Sequence, residues 1–482
     1  KVTKPSPNNH SIPQRGGTST IFGVYQNFLN ALVGAGILGI PSVYSMCGIY
    51  GGILLMFLFA ALSTYTINLL IVTAQFYNVT EYEELGYITY GSMGYLLAAS
   101  ALLLLDFGTC LNYLIILGDS SFKVLQIWGY HSLLDRQLTI LVVAMCVIFP
   151  PCLWRDISFY EKFSGIKIIG IVLVVAVVVY QYIVLSTDRG SFAPNRSETD
   201  LWNISGIPSA VGIVAYCFVA HDTAFLYYNT LLNPTKWRWT QTVLLSIGSA
   251  MILSLVLSIP AYLTFGNQVD GNVLNNYQVT QASIVVTRIV YVVMMALTFP
   301  TSFFVVRHVC YAGFCRMLSL IKIQCYRYKR KKTMSMMNAS AVRSEHSRQT
   351  LDEDVRNYSF FLYRTEYNVK NAPLYQHLIS TCVLFAIPLV LSMYVLDLGV
   401  VMSIIGNLSS VNLAFILPCI TWIKASKYGF LSFCKEDGWR NKYRAWMEIY
   451  PPALLTLLGI FIAVYGVVDT LRTSNLSKQT DA

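Results

Sequence analysis

The chain has 482 residues, of which 55% are hydrophobic and only 12% are charged, and its mean hydropathy is +0.54. This apolar content exceeds what one water-soluble core can bury, so the composition excludes an ordinary soluble protein and indicates a polytopic membrane protein. The net charge of +10 does not indicate nucleic-acid binding, because most Lys and Arg lie in a few segments between apolar stretches.

The N-terminal segment is rich in Pro, Asn, Ser and Gly, which predicts a disordered cytosolic tail over residues 1–20 rather than a signal peptide. Residues 21–470 then contain repeated apolar stretches of about 20 residues, the length that crosses a bilayer. They predict about eleven transmembrane helices. The approximate spans are Phe22 to Met46, Gly52 to Phe76, Leu96 to Ser121, Leu138 to Leu153, Ile166 to Leu185, Pro208 to Tyr228, Val243 to Phe265, Ser283 to Cys310, Leu378 to Val395, Val400 to Ile423 and Pro452 to Val468.

Loop charge predicts a cytosolic N-terminus, because alternate loops then carry nearly all the cationic loop residues. The basic run Tyr326 to Lys332 and the cluster Arg440 to Arg444 fall inside, where they would contact anionic lipid headgroups. An odd number of spans places the tail, residues 471–482, outside the cell or in a lumen. Sequons at Asn195 and Asn203 fall in the outer loop before the sixth span, so both are predicted glycosylation sites.

The first span contains the run Asn30 to Pro41, which holds three glycines and a proline. A helix with this interior is expected to break, and a break at membrane depth persists only where it is buried in protein or lines a cavity. The freed amides attract a carboxylate and the freed carbonyls can coordinate a small cation. The alternative is close helix packing through the small residues Gly36 and Gly39.

The sixth span carries His221 and Asp222 within apolar sequence. An intramembrane polar pair is costly unless it faces a partner, a cavity or water, so it is a functional candidate; the alternative is a pair at a helix end satisfied by the following loop. The first and sixth spans lie five helices apart and both hold polar or helix-breaking residues at mid-span. This spacing is typical of an inverted repeat of five helices.

The long segment 313–375 separates eight spans from three, and its polar centre, Lys329 to Arg356, is expected to lack fixed structure. A solvated cytosolic loop explains its basic charge, and a regulatory docking element is the alternative.

Four runs, in this order and spacing, resemble the amino acid/auxin permease family, most nearly its sodium-coupled neutral amino acid transporters and their vacuolar relatives. The resemblance implies a LeuT-like transporter fold, and extends weakly from about Phe22 to Val468. The runs are Asn30 to Pro41, Phe218 to His221 with Tyr227, Tyr262 to Gly266, and Thr298 to Pro300 with Arg307.

The resemblance implies a sodium site at the broken first helix, with Asn30 and a hydroxyl from the eighth span, for which Thr298 is the candidate. Hard oxygen ligands suit Na⁺. The alternatives are an interhelical hydrogen bond for Asn30 and a bond within its own helix for Thr298.

The same resemblance places the substrate carboxylate at the amides of Gly34, Ala35 and Gly36, and the ammonium at sixth-span carbonyls near Tyr216 and Val219. Selectivity for the substrate side chain is expected from Tyr216, Cys217, Thr109 and Asn112, for each of which ordinary packing is the alternative.

Asp106 in the third span departs from the sodium-coupled relatives, where an uncharged side chain is expected. A carboxyl buried at this depth is costly to ionise, so it can take up and release a proton, as a proton-coupling group must. Proton coupling therefore stays open. The alternative is that Asp106 is a structural partner for a nearby hydroxyl or amide.

The sequence therefore predicts an all-α, eleven-helix transporter with a five-plus-five inverted repeat and broken first and sixth helices. It would move small neutral amino acids with a coupled cation, Na⁺ or H⁺, across the plasma membrane or a lysosomal or vacuolar membrane, without another cofactor. The alternatives are an amino-acid-sensing receptor with little flux and an intramembrane enzyme using His221 and Asp222. The enzyme is disfavoured because no nucleophile, metal cluster or cofactor motif converges there.

Overall fold

The computed structural model describes residues 17–155, 163–187, 199–337, 373–395, 397–427 and 440–480. Within these ranges the chain is almost entirely helical, and ten helical segments are long and apolar enough to cross a membrane. The helices are α1 (Ile21–Leu32), α2 (Ile40–Tyr77), α3 (Tyr82–Gln126), α4 (Leu133–Val143), α5 (Phe149–Cys152), α6 (Ser164–Thr187), α7 (Ile207–Phe218), α8 (His221–Thr230), α9 (Lys236–Phe265), α10 (Ala282–Met337), α11 (Leu374–Tyr394), α12 (Leu398–Ile405), α13 (Leu417–Lys427) and α14 (Arg440–Thr480).

The first predicted span is divided between α1 and the beginning of α2. A short 3₁₀ helix, Ala35–Leu38, lies between them. Farther along α2, Gly48 has φ +79° and ψ 168°, which interrupts the helix and separates the end of the first span from the second. Glycine adopts this conformation without the steric penalty a side chain would carry. The ten long segments plus the divided first span therefore account for about eleven crossings, and the all-α polytopic prediction is confirmed.

The sixth span is also divided, into α7 and α8, with Val219 and Ala220 between the two halves. Helices α3 and α10 pack along each other through the middle of the bundle, while α2 packs against α7 and α9. This arrangement places both breaks in the interior, beside α3, α6 and α10.

The structure gives the backbone at three segments that the sequence analysis described as tails or a loop. Ser19 donates its amide to the Thr230 carbonyl at the end of α8, at 3.0 Å, within the segment predicted to be a disordered tail. Helix α10 extends to Met337, into the basic segment 313–375. Helix α14 likewise extends into the predicted tail, as far as Thr480. Residues 1–16 and 338–372 lie outside the described ranges.

Candidate functional site

A cavity of about 100 Å³ lies where the two helix breaks meet α3, α6 and α10. Most of the predicted substrate and ion residues line it, although they come from four separate parts of the sequence. They are Asn30, Gly34, Ala35, Gly36, Asp106, Thr109, Tyr216, Val219, Asp222 and Thr298.

The first break is a sharp change of backbone direction after α1. Val33 has φ −97° and ψ 60°, and Gly34 has φ −98° and ψ −131°, so neither continues the helix. The Tyr291 hydroxyl donates to the Gly34 carbonyl at 2.8 Å and fixes the turn from α10. Ala35 and Gly36 then begin a new helical segment, whose first amides have no intrahelical acceptor and carry partial positive charge.

The second break separates the two polar residues of the sixth span. Val219 is extended, with φ −82° and ψ 126°, and Ala220 has φ −147° and ψ 26°. His221 is fully buried, and its Nε2 atom lies 3.0 Å from the Thr66 hydroxyl of α2, away from the cavity. Asp222 lines the cavity in the first turn of α8, where helix amides favour a negative charge. The pair therefore acts as two separate residues.

Four helix ends converge on the cavity. The carboxyl ends of α1 and α7 present carbonyl groups, and the amino ends of the Ala35–Leu38 segment and of α8 present amides. Because the helix dipole gives these ends opposite partial charges, the cavity can bind a zwitterion without any charged side chain.

Asn30 and Thr298 line the cavity, and each donates one hydrogen bond to a backbone carbonyl. The Asn30 Nδ2 atom donates to the Ser164 carbonyl at 2.9 Å, and the Thr298 hydroxyl donates to the Met294 carbonyl of its own helix at 2.8 Å. The two structural alternatives to ion binding, an interhelical hydrogen bond for Asn30 and a bond within its own helix for Thr298, are thus both present. These bonds leave the Asn30 Oδ1 atom and the lone pairs of the Thr298 hydroxyl as acceptors, which is what a cation requires.

The residues predicted to select the substrate side chain divide into two groups. The Tyr216 hydroxyl donates to the Thr109 hydroxyl at 3.2 Å, and both side chains line the cavity. Asn112 is fully buried and does not belong to the cavity lining. Cys217 also lies behind the lining, where its Sγ would be 2.7 Å from a Cβ placed on Gly36.

The cavity also contains charged side chains from helices outside the two breaks. Asp106 of α3 is buried next to the Ser302 hydroxyl, and its Oδ2 atom has no hydrogen-bond partner among the described residues. Lys167 of α6 is buried and lines the same cavity, one helical turn after Ser164, the residue that accepts the Asn30 amide. An acid and a base therefore lie beside the candidate cation ligands.

Lys167, Tyr113 and Tyr291 are site residues that the sequence analysis did not identify. Lys167 could have been found, because it follows directly after the start of the fifth apolar span. The tyrosines had no such signal, since their roles depend on contacts with Gly34: Tyr291 binds its carbonyl, and the Tyr113 hydroxyl would be 2.8 Å from a Cβ placed there.

Of the two predicted glycosylation sites, only Asn203 lies within the described residues. The Asn203 side chain is partly buried and accepts hydrogen bonds from the backbone and hydroxyl of Ser205, at 3.2 and 2.6 Å. Asn195 lies outside the described residues.

The family model described as transmembrane amino acid transporter protein matches residues 17–464, which include every element around the cavity. The chain belongs to this family. It is therefore a multi-pass integral membrane protein of a transporter family, and the family resemblance predicted from the sequence is confirmed. That membership does not support the alternative of an enzyme at the sixth span.

Among curated relatives, a Danio rerio protein described as a candidate sodium-coupled neutral amino acid transporter 11 is 24% identical over 461 residues, 94% of this chain and 87% of the relative. Sodium-coupled neutral amino acid transporter 7 of Rattus norvegicus is 25% identical over 459 residues, 93% of this chain and 87% of the relative. The solved structure of MhsT in complex with L-phenylalanine matches with a TM-score of 0.57 and 13% identity, covering 93% of this chain and all of MhsT. That match confirms the LeuT-like fold of this transmembrane amino acid transporter.

Proposed function

We propose that this transporter moves small neutral amino acids by alternating access, coupled to a cation, with Na⁺ favoured. The observation that carries the proposal is the cavity at the two breaks, which is lined both by the backbone of the first break and by the carboxyl end of α7. A neutral amino acid is a zwitterion in water, and these helix ends offer one partner to each of its charges.

The substrate carboxylate binds the amides at Ala35 and Gly36, and the ammonium binds carbonyls around Tyr216 and Val219. The volume of about 100 Å³ favours small side chains. Tyr216 and Thr109 face the substrate side chain and can donate or accept hydrogen bonds, so alanine- and serine-sized substrates fit the lining.

Sodium is favoured because Asn30 and Thr298 offer oxygen acceptors at the carboxyl end of α1. The names of the relatives agree with this assignment. Lys167 lies in the same cavity, and its positive charge lowers the affinity for Na⁺ unless the carboxylates of Asp106 and Asp222 offset it. We therefore propose that Lys167 sets how much Na⁺ the site requires.

Proton coupling is the second candidate, favoured by the buried Asp106 carboxyl with its unpartnered Oδ2 atom. If protons drive transport, Asp106→Asn removes the dependence of uptake on a pH gradient while substrate exchange continues, because an amide imitates the protonated carboxyl. If Na⁺ drives transport, the same variant retains its response to a Na⁺ gradient.

The experiment is uptake of radiolabelled alanine into proteoliposomes, with Na⁺ and pH gradients imposed separately. Accumulation driven by Na⁺ alone supports the sodium mechanism, and accumulation driven by pH alone supports the proton mechanism. Uptake that changes with neither the Na⁺ gradient nor the pH gradient contradicts coupled transport. Binding without uptake favours the amino-acid-sensing receptor.

A further inference from the structure

Arg288 is a fully buried cation at the end of the bundle that loop charge predicts to be external or lumenal. Its Nη2 atom donates to the carbonyls of Leu274 and Tyr277, at 2.5 and 3.5 Å. Its Nε and Nη1 atoms have no hydrogen-bond partner among the described residues. Two nitrogen atoms of a buried guanidinium, with three N–H donors between them, are therefore unused, which is costly because these donors lost their water on burial.

The nearby acid does not satisfy Arg288. The Asp119 Oδ1 atom accepts from Arg136 Nε at 3.0 Å and from Arg136 Nη2 at 2.8 Å. Arg136 also donates to the carbonyls of Ser392 and Met393, at 3.4 and 3.5 Å, which ties α4 to the end of α11. Asp119 is thus paired with Arg136 and acts on Arg288 only as a neighbouring charge, and within the described ranges no ion pair reaches Arg288.

The buried charges at this end do not cancel. Arg136 and Arg288 contribute +2 and Asp119 contributes −1, which leaves +1. Lys123 is partly buried and adds positive charge, while Asp270 is exposed to solvent and therefore strongly screened. A buried charge without a counter-charge is expensive, so this end is one monovalent anion short of neutrality.

Further unused donors belong to the same region. The Asn272 Nδ2 atom and the Tyr277 hydroxyl lie in the segment that Arg288 binds, and the Ser120 hydroxyl follows Asp119 in α3; all are buried without a partner in the described chain. Two buried acceptors of the same loop, Asn275 Oδ1 and Gln281 Oε1, also have no partner among the described residues, so the unpartnered donors of this region outnumber its unpartnered acceptors. An excess of neutral and charged donors is the chemistry of an anion site.

We propose that Arg288 forms a monovalent anion site, separate from the central cavity, for chloride or for the carboxylate of an amino acid entering from this side. Arg288 lies one turn before Tyr291, which holds the Gly34 carbonyl at the first break. An anion on Arg288 would therefore stabilise the segment of α10 that fixes the substrate site.

The test is thermal unfolding of the purified full-length protein in detergent, in chloride and in gluconate salts of equal ionic strength. A ligand that binds only the folded state raises the melting temperature. We expect a melting temperature a few degrees higher in chloride, no chloride effect in Arg288→Gln, and a retained effect in Arg288→Lys. This measurement needs no transport, so its outcome is independent of the proposed function.

Arg307→Gln is the matched control, because Arg307 is a buried arginine of the same helix, near the end of the eighth span that is predicted to be cytosolic. Its terminal nitrogens are already bonded to the carbonyls of Cys152 and Trp154, at 2.8 and 3.0 Å. This variant should lose stability equally in both salts. A chloride effect that persists in Arg288→Gln would overturn the proposal.

The two anion sources are distinguished in gluconate with Gly36→Val, a variant designed to disable the central site. Stabilisation by alanine but not by alaninamide, lost again when Arg288→Gln is added, assigns the site to the substrate carboxylate. Stabilisation by chloride alone assigns it to chloride. If neither chloride nor alanine raises the melting temperature through Arg288, there is no anion site.

Discussion

The two helix breaks supply the same kinds of backbone group to the cavity, but different sequences produce them. The first break contains Gly34 and Gly36, and its new helical segment begins with small residues that allow close approach to the backbone. The second break, at Val219 and Ala220, contains no glycine or proline. Local preference therefore explains the first break, whereas packing in the folded bundle has to impose the second.

This difference also divides the chemistry. The first break offers amides and the candidate cation acceptors Asn30 and Thr298, with Lys167 nearby. The second offers carbonyls, the carboxylate of Asp222 and the side chains that face the substrate. The first break is thus the expected ion and carboxylate site, and the second is the expected site of side-chain selection.

The largest expected effect is loss of binding and uptake in Gly36→Val. A Cβ at Gly36 would lie 2.7 Å from Cys217 Sγ, so the two breaks would be forced apart and a side chain would cover the amides. Binding and uptake of labelled alanine should fall to background while surface expression persists. Gly248→Ala is the control, because a Cβ there meets nothing within 4 Å.

The double variant Gly36→Val with Cys217→Gly separates the two causes of that loss, the clash with Cys217 and the covering of the amides. If the clash alone is responsible, the double variant should regain uptake. If coverage of the amides is responsible, the double variant stays inactive. Full uptake in well-expressed Gly36→Val would contradict a substrate site at the first break.

Removing the charge of Lys167 should have the next largest effect. Coulomb repulsion between two unit charges is about 2 kcal/mol at a separation of about 8 Å and an effective dielectric constant of about 20, so the Lys167 charge weakens Na⁺ binding by about this much at that separation unless Asp106 and Asp222 offset it. Lys167→Met should therefore lower the Na⁺ concentration for half-maximal uptake by about tenfold or more. Lys236→Met removes an exposed lysine and should leave it unchanged. An unchanged Na⁺ requirement in Lys167→Met would separate this lysine from the ion site.

Asn30→Ala and Thr298→Ala each remove one oxygen acceptor beside the first break. Loss of one modest ligand, on the order of 1.4 kcal/mol, should raise the Na⁺ concentration for half-maximal uptake by about tenfold. Substrate affinity should recover at high Na⁺, which an Na⁺ titration of uptake measures. Reduced uptake that high Na⁺ does not rescue would indicate that the bonds to Ser164 and Met294 matter only for packing.

The smallest effect concerns the second break. Tyr216→Phe removes the hydrogen bond to Thr109 while the ring stays in place. A hydrogen bond of about 1 kcal/mol corresponds to roughly fivefold in affinity. Competition uptake should show a loss of about that size for serine relative to alanine. An equal change for both substrates would argue against side-chain recognition by this hydroxyl.

The sequence predicted the fold and most of the cavity lining because membrane helices and their breaks leave local signals. Apolar length marks the spans, and the glycines of Asn30 to Pro41 mark the first break. His221 and Asp222 marked the second break, but their opposite orientations depend on where α8 begins. Helical periodicity also does not show which α3 residues face the cavity. Thr109 and Asn112 were both predicted to contact the substrate, and of the two only Thr109 lines the cavity.

Equilibrium binding of labelled alanine to the purified protein, titrated with Na⁺, is the most direct test of a substrate site at the two helix breaks. We expect saturable binding that tightens as Na⁺ rises, is lost in Gly36→Val, and needs more Na⁺ in Asn30→Ala and Thr298→Ala. Saturable binding that is unaffected by Gly36→Val would contradict a substrate site formed where the two breaks meet.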